Sequence, residues 1–117
     1  MNVPGRIVYL PNRDNAFVTS AKVTSYLLSE NHPTGHSKAR FFRLMGFDED
    51  SAPQLLKGLL KIARRDSVVE TEDTEHGVKY VVEGVLETPT RRKIYIRTVW
   101  IIDTGQEAPR FVTAYPR

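Results

Sequence analysis

The sequence predicts an α+β domain, with three N-terminal helices packed on one face of a C-terminal four-stranded antiparallel meander. Three observations carry that expectation. Up to about residue 65 the apolar residues recur at helical spacing. Beyond it they alternate with polar residues, the period of a strand. The links between the alternating stretches are short, so neighbouring strands pair antiparallel in chain order. At 117 residues the chain is expected to be a single domain, 1–117, with an irregular lead-in (1–19), a helical part (20–65) and a sheet (67–116).

In the lead-in, Arg6 to Leu10 and Ala16 to Val18 read as short extended pieces around the turn-like Pro11-Asn12-Arg13-Asp14-Asn15. Ser20 can cap a first helix over about 21–29, with Val23, Tyr26 and Leu27 on its apolar face. Asn31-His32-Pro33-Thr34-Gly35 ends it, because the residue before a proline avoids the helical region and glycine accepts a positive φ. Ser37 can cap a second helix over about 38–45, with Gly46 beyond its end. Ser51-Ala52-Pro53-Gln54 has a capping-box pattern, and a third helix runs to about Arg64 on a stripe of Leu55, Leu56, Leu59, Leu60, Ile62 and Ala63.

Strands are expected at Val68 to Glu72, Val78 to Glu87, Arg92 to Ile102 and Arg110 to Tyr115. Alternation assigns Val82, Leu86, Ile94, Ile96, Trp100, Ile102, Val112 and Ala114 to the core. The other parity puts Lys79, Glu83, Glu87, Lys93, Tyr95, Arg97, Phe111, Thr113 and Tyr115 on an open face.

Composition excludes several classes. The chain has no cysteine, so disulfides and thiolate zinc sites are ruled out. It has no apolar run of about 18 residues and no signal-peptide pattern, so a cytoplasmic location without membrane association is expected. The net charge of +3 is unevenly spread. Residues 31–47 hold Lys38, Arg40 and Arg43 and no acid. Residues 48–87 carry ten acids against five bases, and residues 88–117 carry six bases against Asp103 and Glu107. If the fold joins the two basic segments, they form a polyanion-binding patch; otherwise they are solvated faces.

The most informative stretch is His32-Pro33-Thr34-Gly35-His36-Ser37-Lys38-Ala39-Arg40. Gly35 lets the backbone come close to a ligand, and the free N–H groups of the helix that follows favour an anion. Ser37 and Lys38 add a hydroxyl and a cation, and His32 and His36 can exchange protons near neutral pH. A well-capped turn with locally bonded histidines is the plain alternative. No carboxylate accompanies the histidines, so the stretch is not a zinc site. At the C-terminus Thr113 and Tyr115 share a strand face, where their hydroxyls can bond a phosphate and Tyr115 can stack on a base. Arg97, inside a strand on the open face, wants an anion, which Glu83 or Glu87 could supply without any ligand. The chain has no P-loop, GxSxG, HExxH or dinucleotide fingerprint.

Leu10-Pro11-Asn12, Lys22 with Tyr26-Leu27-Leu28, and His32-Pro33-x-Gly35-x-x-Lys38-Ala39-x-Phe41-Phe42 together resemble a bacterial family known as a domain of unknown function. Val99-Trp100-Ile101-Ile102, Pro109-Arg110 and Thr113-Ala114-Tyr115-Pro116 extend the resemblance over nearly the whole chain. The layout is also similar to the barnase–EndoU–colicin D–RelE group of small ribonucleases. That resemblance implies a metal-independent endoribonuclease toxin, with an RNA substrate and a cognate antitoxin protein, and with no cofactor. The RNA 2′-hydroxyl would attack its own phosphate. By position His32 would be the acid or base, Lys38 and Arg97 phosphate stabilisers, and Thr113 and Tyr115 orienting groups. Gly35, His36, Ser37, Arg40, Lys93 and Arg110 would complete the phosphate-binding set. Two rivals are a non-catalytic RNA- or protein-binding module of the same fold, and an interaction protein whose acidic middle, including Asp48-Glu49-Asp50, meets a basic partner.

Overall fold

The structure, a computed structural model, describes residues 7–29, 31 and 36–117. Its order is α1 (Ser20–Lys22), which widens into a π-helical turn (Val23–Leu27), then α2 (His36–Leu44), α3 (Ala52–Arg65), β1 (Val68–Thr74), β2 (Gly77–Glu87), β3 (Lys93–Asp103) and β4 (Arg110–Pro116). The strands form one antiparallel sheet in the order β1-β2-β3-β4, so the predicted α+β meander is the fold. No helix among the described residues is long and apolar enough to cross a membrane.

Local chemistry moves two helix caps from where the sequence put them. Thr19, not Ser20, caps α1, its Oγ1 accepting from Lys22 N at 3.2 Å. The capping box forms one turn earlier than expected: Asp48 accepts from Ser51 N, while the Ser51 hydroxyl accepts from Asp48 N. This closes a 3-10 turn ahead of α3. Ser51 therefore does not cap through its side chain, and Gln54 reaches instead to the Glu87 carbonyl at 3.2 Å.

The core lies between the helices and one sheet face, with Leu27, Phe42, Phe47, Leu55, Leu59 and Ile62 meeting Val82, Leu86, Ile96 and Trp100. Its polar groups are satisfied: Trp100 Nε1 donates to Thr98 Oγ1 (2.8 Å), whose hydroxyl donates to the Val82 carbonyl (2.6 Å). Two glycines bring α3 close to β2. A Cβ on Gly58 would overlap Leu86, and one on Gly84 would overlap Asp66 and press on Ile62.

The expected face assignment of β4 is wrong at two positions. Val99 pairs with Thr113, but Trp100 pairs with Phe111, so Val112 is an extra residue and the strand is bulged there. The bulge reverses parity before Val112. Phe111, expected on the open face, is buried with its ring 5.3 Å from Trp100 in an edge arrangement. Val112, expected in the core, instead lines a depression on the open face. The lead-in touches both sheet edges, through a Tyr9–Ser67 bridge beside β1 and a Phe17–Arg110 bridge beside β4.

Gly58→Ala should lower unfolding free energy by about 1–3 kcal/mol, because Leu86 must leave its rotamer or α3 must lift. Urea denaturation of the two proteins measures this.

Candidate functional site

The bulge at Val112 turns Thr113 and Tyr115 outward, and the β3–β4 register sets Tyr115 opposite Arg97. These three residues share one face, as strand alternation predicted. Arg97, however, already has partners. Its Nη1 lies 3.3 Å from Glu83 Oε2 and its Nη2 lies 3.6 Å from Glu70 Oε2. Glu83 also lies in an ion pair with Arg117, whose Nε is 3.0 Å from Glu83 Oε1, and the Arg117 guanidinium lies over the Tyr95 ring. The Glu83 side chain is only 8% exposed, so it sits as a shared anion beneath the two arginines. Arg97 Nε is buried and unpaired. An incoming phosphate would have to displace a carboxylate, Glu70 more readily than Glu83 because Glu70 is exposed.

Across the sheet edge, the start of α2 meets the end of β4. Ser37, Lys38, Phe41, Tyr115 and Pro116 line a shallow cavity of about 330 Å³. Tyr115 borders both this cavity and the open face. Thr113 is held from the helical side, its hydroxyl 3.0 Å from the Tyr26 hydroxyl. The Lys22 ammonium lies 4.4 Å from the centre of the Tyr26 ring. Sequence reasoning took Tyr26 as an apolar helix residue and missed this link. A half-buried tyrosine on a helix's apolar face favours a partner for its hydroxyl, which was the available signal.

The remaining candidates separate. Arg110 forks onto Asp103, with Nε 3.0 Å from Oδ2 and Nη2 2.9 Å from Oδ1. It lies five residues from Tyr115, about 17 Å along the strand. Lys93 pairs across the sheet with Glu87 in register, at the opposite end of β3 from Asp103, and lines a different groove. Arg40 is exposed on α2. His32 and Gly35 lie outside the described residues. His36 opens α2, and nothing beyond its backbone is described. Of the acidic triplet, Asp48 is engaged in the capping box and Glu49 in an ion pair with Arg43. Among the described residues no three His, Asp or Glu side chains gather into a metal site.

The fork from Arg110 holds the Asp103 carboxyl below the ordinary aspartate range, and Asp103 in turn raises Arg110. A carboxyl lowered on folding stabilises the fold above the unfolded value of about 3.9. That contribution is lost as pH falls through the folded value. NMR titration should place the Asp103 midpoint below the unfolded value of about 3.9, and Arg110→Gln should return it there. Both side chains are about a third exposed or more, so the stability cost of that change should be only about 0.2–1 kcal/mol. Glu83→Gln, by contrast, leaves two arginines over a buried position and should cost about 1–3 kcal/mol in the same denaturation assay.

Comparison with known proteins adds a family and a fold relative. Residues 9–117 match a domain of unknown function, DUF6883. No curated protein matches the chain. Among solved structures, a contact-dependent growth inhibition toxin–immunity protein complex from Klebsiella pneumoniae 342 is similar, with a TM-score of 0.67 at 14% identity. The superposition covers 90% of this chain and 96% of that one, and at this identity the likeness is one of fold. The family match spans nearly the whole chain, which therefore belongs to the DUF6883 domain family.

Proposed function

We propose that this domain is a metal-independent endoribonuclease of toxin type, held in check by a neutralising partner protein. The observation that carries the reading is the shared cavity of Ser37 and Lys38, from the start of α2, and Tyr115, from the end of β4, with Thr113 two residues away. A cation, two hydroxyls and a helix start around one shallow cavity suit a phosphate. In the sequence, His32-Pro33-Thr34-Gly35 immediately precedes α2. The fold relative, found in a toxin–immunity protein complex, supports a toxin-related role with a partner protein.

In this reading the RNA 2′-oxygen attacks the adjacent phosphorus as its proton passes to a base. The new O–P bond forms as the bond to the 5′-oxygen breaks, and that oxygen leaves with a proton from an acid. The products are a 2′,3′-cyclic phosphate and a free 5′-hydroxyl. His32 exchanges one of these protons. Lys38 offsets the extra negative charge of the phosphorane, and Tyr115 and Thr113 orient its oxygens. Tyr26 acts as a positioning residue by fixing the Thr113 hydroxyl.

A second reading has its own support. The Arg97 charge is already met by Glu83 and Glu70, which suits a binding module that performs no chemistry.

Expression in cells separates the two. The nuclease reading expects wild-type protein to arrest growth and fragment RNA. Purified Lys38→Ala and Tyr115→Phe should cleave about 10²–10³-fold more slowly, and His32→Ala about 10²–10⁴-fold more slowly. Intact RNA and unimpaired growth with the wild type would favour the binding module.

A further inference from the structure

Among the described residues, a cluster of cations in no ion pair lies away from the cavity just described. Lys57, Lys61 and Arg65 occupy positions i, i+4 and i+8 of α3, one stripe with about 6 Å of rise between successive members. With Lys93 from the start of β3 they line a groove of about 520 Å³ that also holds Asp66 and Glu87, so four cations face two anions. None of the ion pairs among the described residues takes in any of these four cations.

The floor of that groove is a strand edge. β1 pairs with β2 only as far as Val68 opposite Val82, whereas β2 runs on to Glu87. Among the described residues, the end of β2 therefore has β3 on one side and no strand on the other. The ladder phase says which groups face out. Thr88 N donates to Arg92 O on the β3 side, and on the far side of β3, Arg117 N donates to Tyr95 O. Even-numbered β2 residues thus bond β3, and Val85 and Glu87 turn their N–H and C=O groups into the groove. Gln54 occupies the Glu87 carbonyl. Val85 is half exposed there.

We propose that this groove docks an extended acidic segment of a partner protein, which adds as a short strand beside Val85 and sets its carboxylates against Lys57, Lys61, Arg65 and Lys93. A strand edge presents donors and acceptors in alternation, which another peptide backbone matches. A phosphodiester backbone supplies acceptors alone, and among the described residues no aromatic ring lines the groove to stack a base. Charge complementarity fixes the sign of the partner. The surface is separate from the Lys38–Tyr115 cavity, so this inference stands or falls independently of the nuclease reading.

The test uses the purified full chain with two labelled probes, a short peptide alternating glutamate and threonine and a single-stranded oligouridylate. Fluorescence anisotropy should show peptide binding that weakens with added salt, and amide NMR should show the Val85 N–H shifted and slowed in exchange. Lys57→Glu with Lys61→Glu should weaken the peptide by at least tenfold, about 1.4 kcal/mol. Val85→Pro should do the same, since it removes the outward N–H and leaves the β3 ladder intact. If the proline variant does not fold, the charge variant and the wild-type Val85 amide still decide. Absent peptide binding, oligouridylate bound in its place, an unchanged Val85 amide, or charge variants that bind as well as wild type would each overturn the proposal.

Discussion

The extra residue at Val112 does two things at once. It brings Phe111 inward against Trp100, completing the aromatic centre of the core, and it returns Thr113 and Tyr115 to the outer face. Without it, a regular β4 could satisfy only one of these demands, because side chains alternate strictly along an unbulged strand. Burying a phenylalanine is worth roughly 1.5–3 kcal/mol, which outweighs the modest loss of regular pairing at one position. The placement of Thr113 beside Tyr26, and of Tyr115 beside Lys38, follows from a packing requirement in the core.

Charge is distributed in two distinct ways over the surface. On the open sheet face the arginines are spoken for: Arg97 and Arg117 share the nearly buried Glu83, and Arg110 is forked onto Asp103. Such pairs hold side chains in place and leave little field for a ligand. Along α3, by contrast, the basic stripe of Lys57, Lys61 and Arg65 has no carboxylate of its own, and the two acids in its groove leave an excess of positive charge. The same helix is held tight to β2 through Gly58 and Gly84, so the stripe stands on a rigid support beside an open strand edge.

Much of the architecture was legible beforehand. The change from helical to alternating periodicity marks the passage from α3 to β1, and short turns at Glu75–His76 and Pro89–Thr90 leave neighbouring strands little choice but to pair antiparallel. The sharing of one face by Arg97, Thr113 and Tyr115 was also readable, since β4 alternates regularly from Thr113 onward, opposite β3 up to Val99. Cap identity was less so. Thr19 and Ser20, or Asp48 and Ser51, are all competent capping acceptors, and the chain's entry angle chooses between them.

The sequence by itself determined the fold class, the strand order and the residue types available for anion chemistry, because periodicity and turn composition are local properties of the chain. Only the tertiary structure decided which cations stay free. Glu70 reaches Arg97 from a strand two places away, and Tyr26 reaches Thr113 across 87 residues of sequence. The inward turn of Phe111 likewise depends on the register between β3 and β4, which arises when two distant segments pack against a common core.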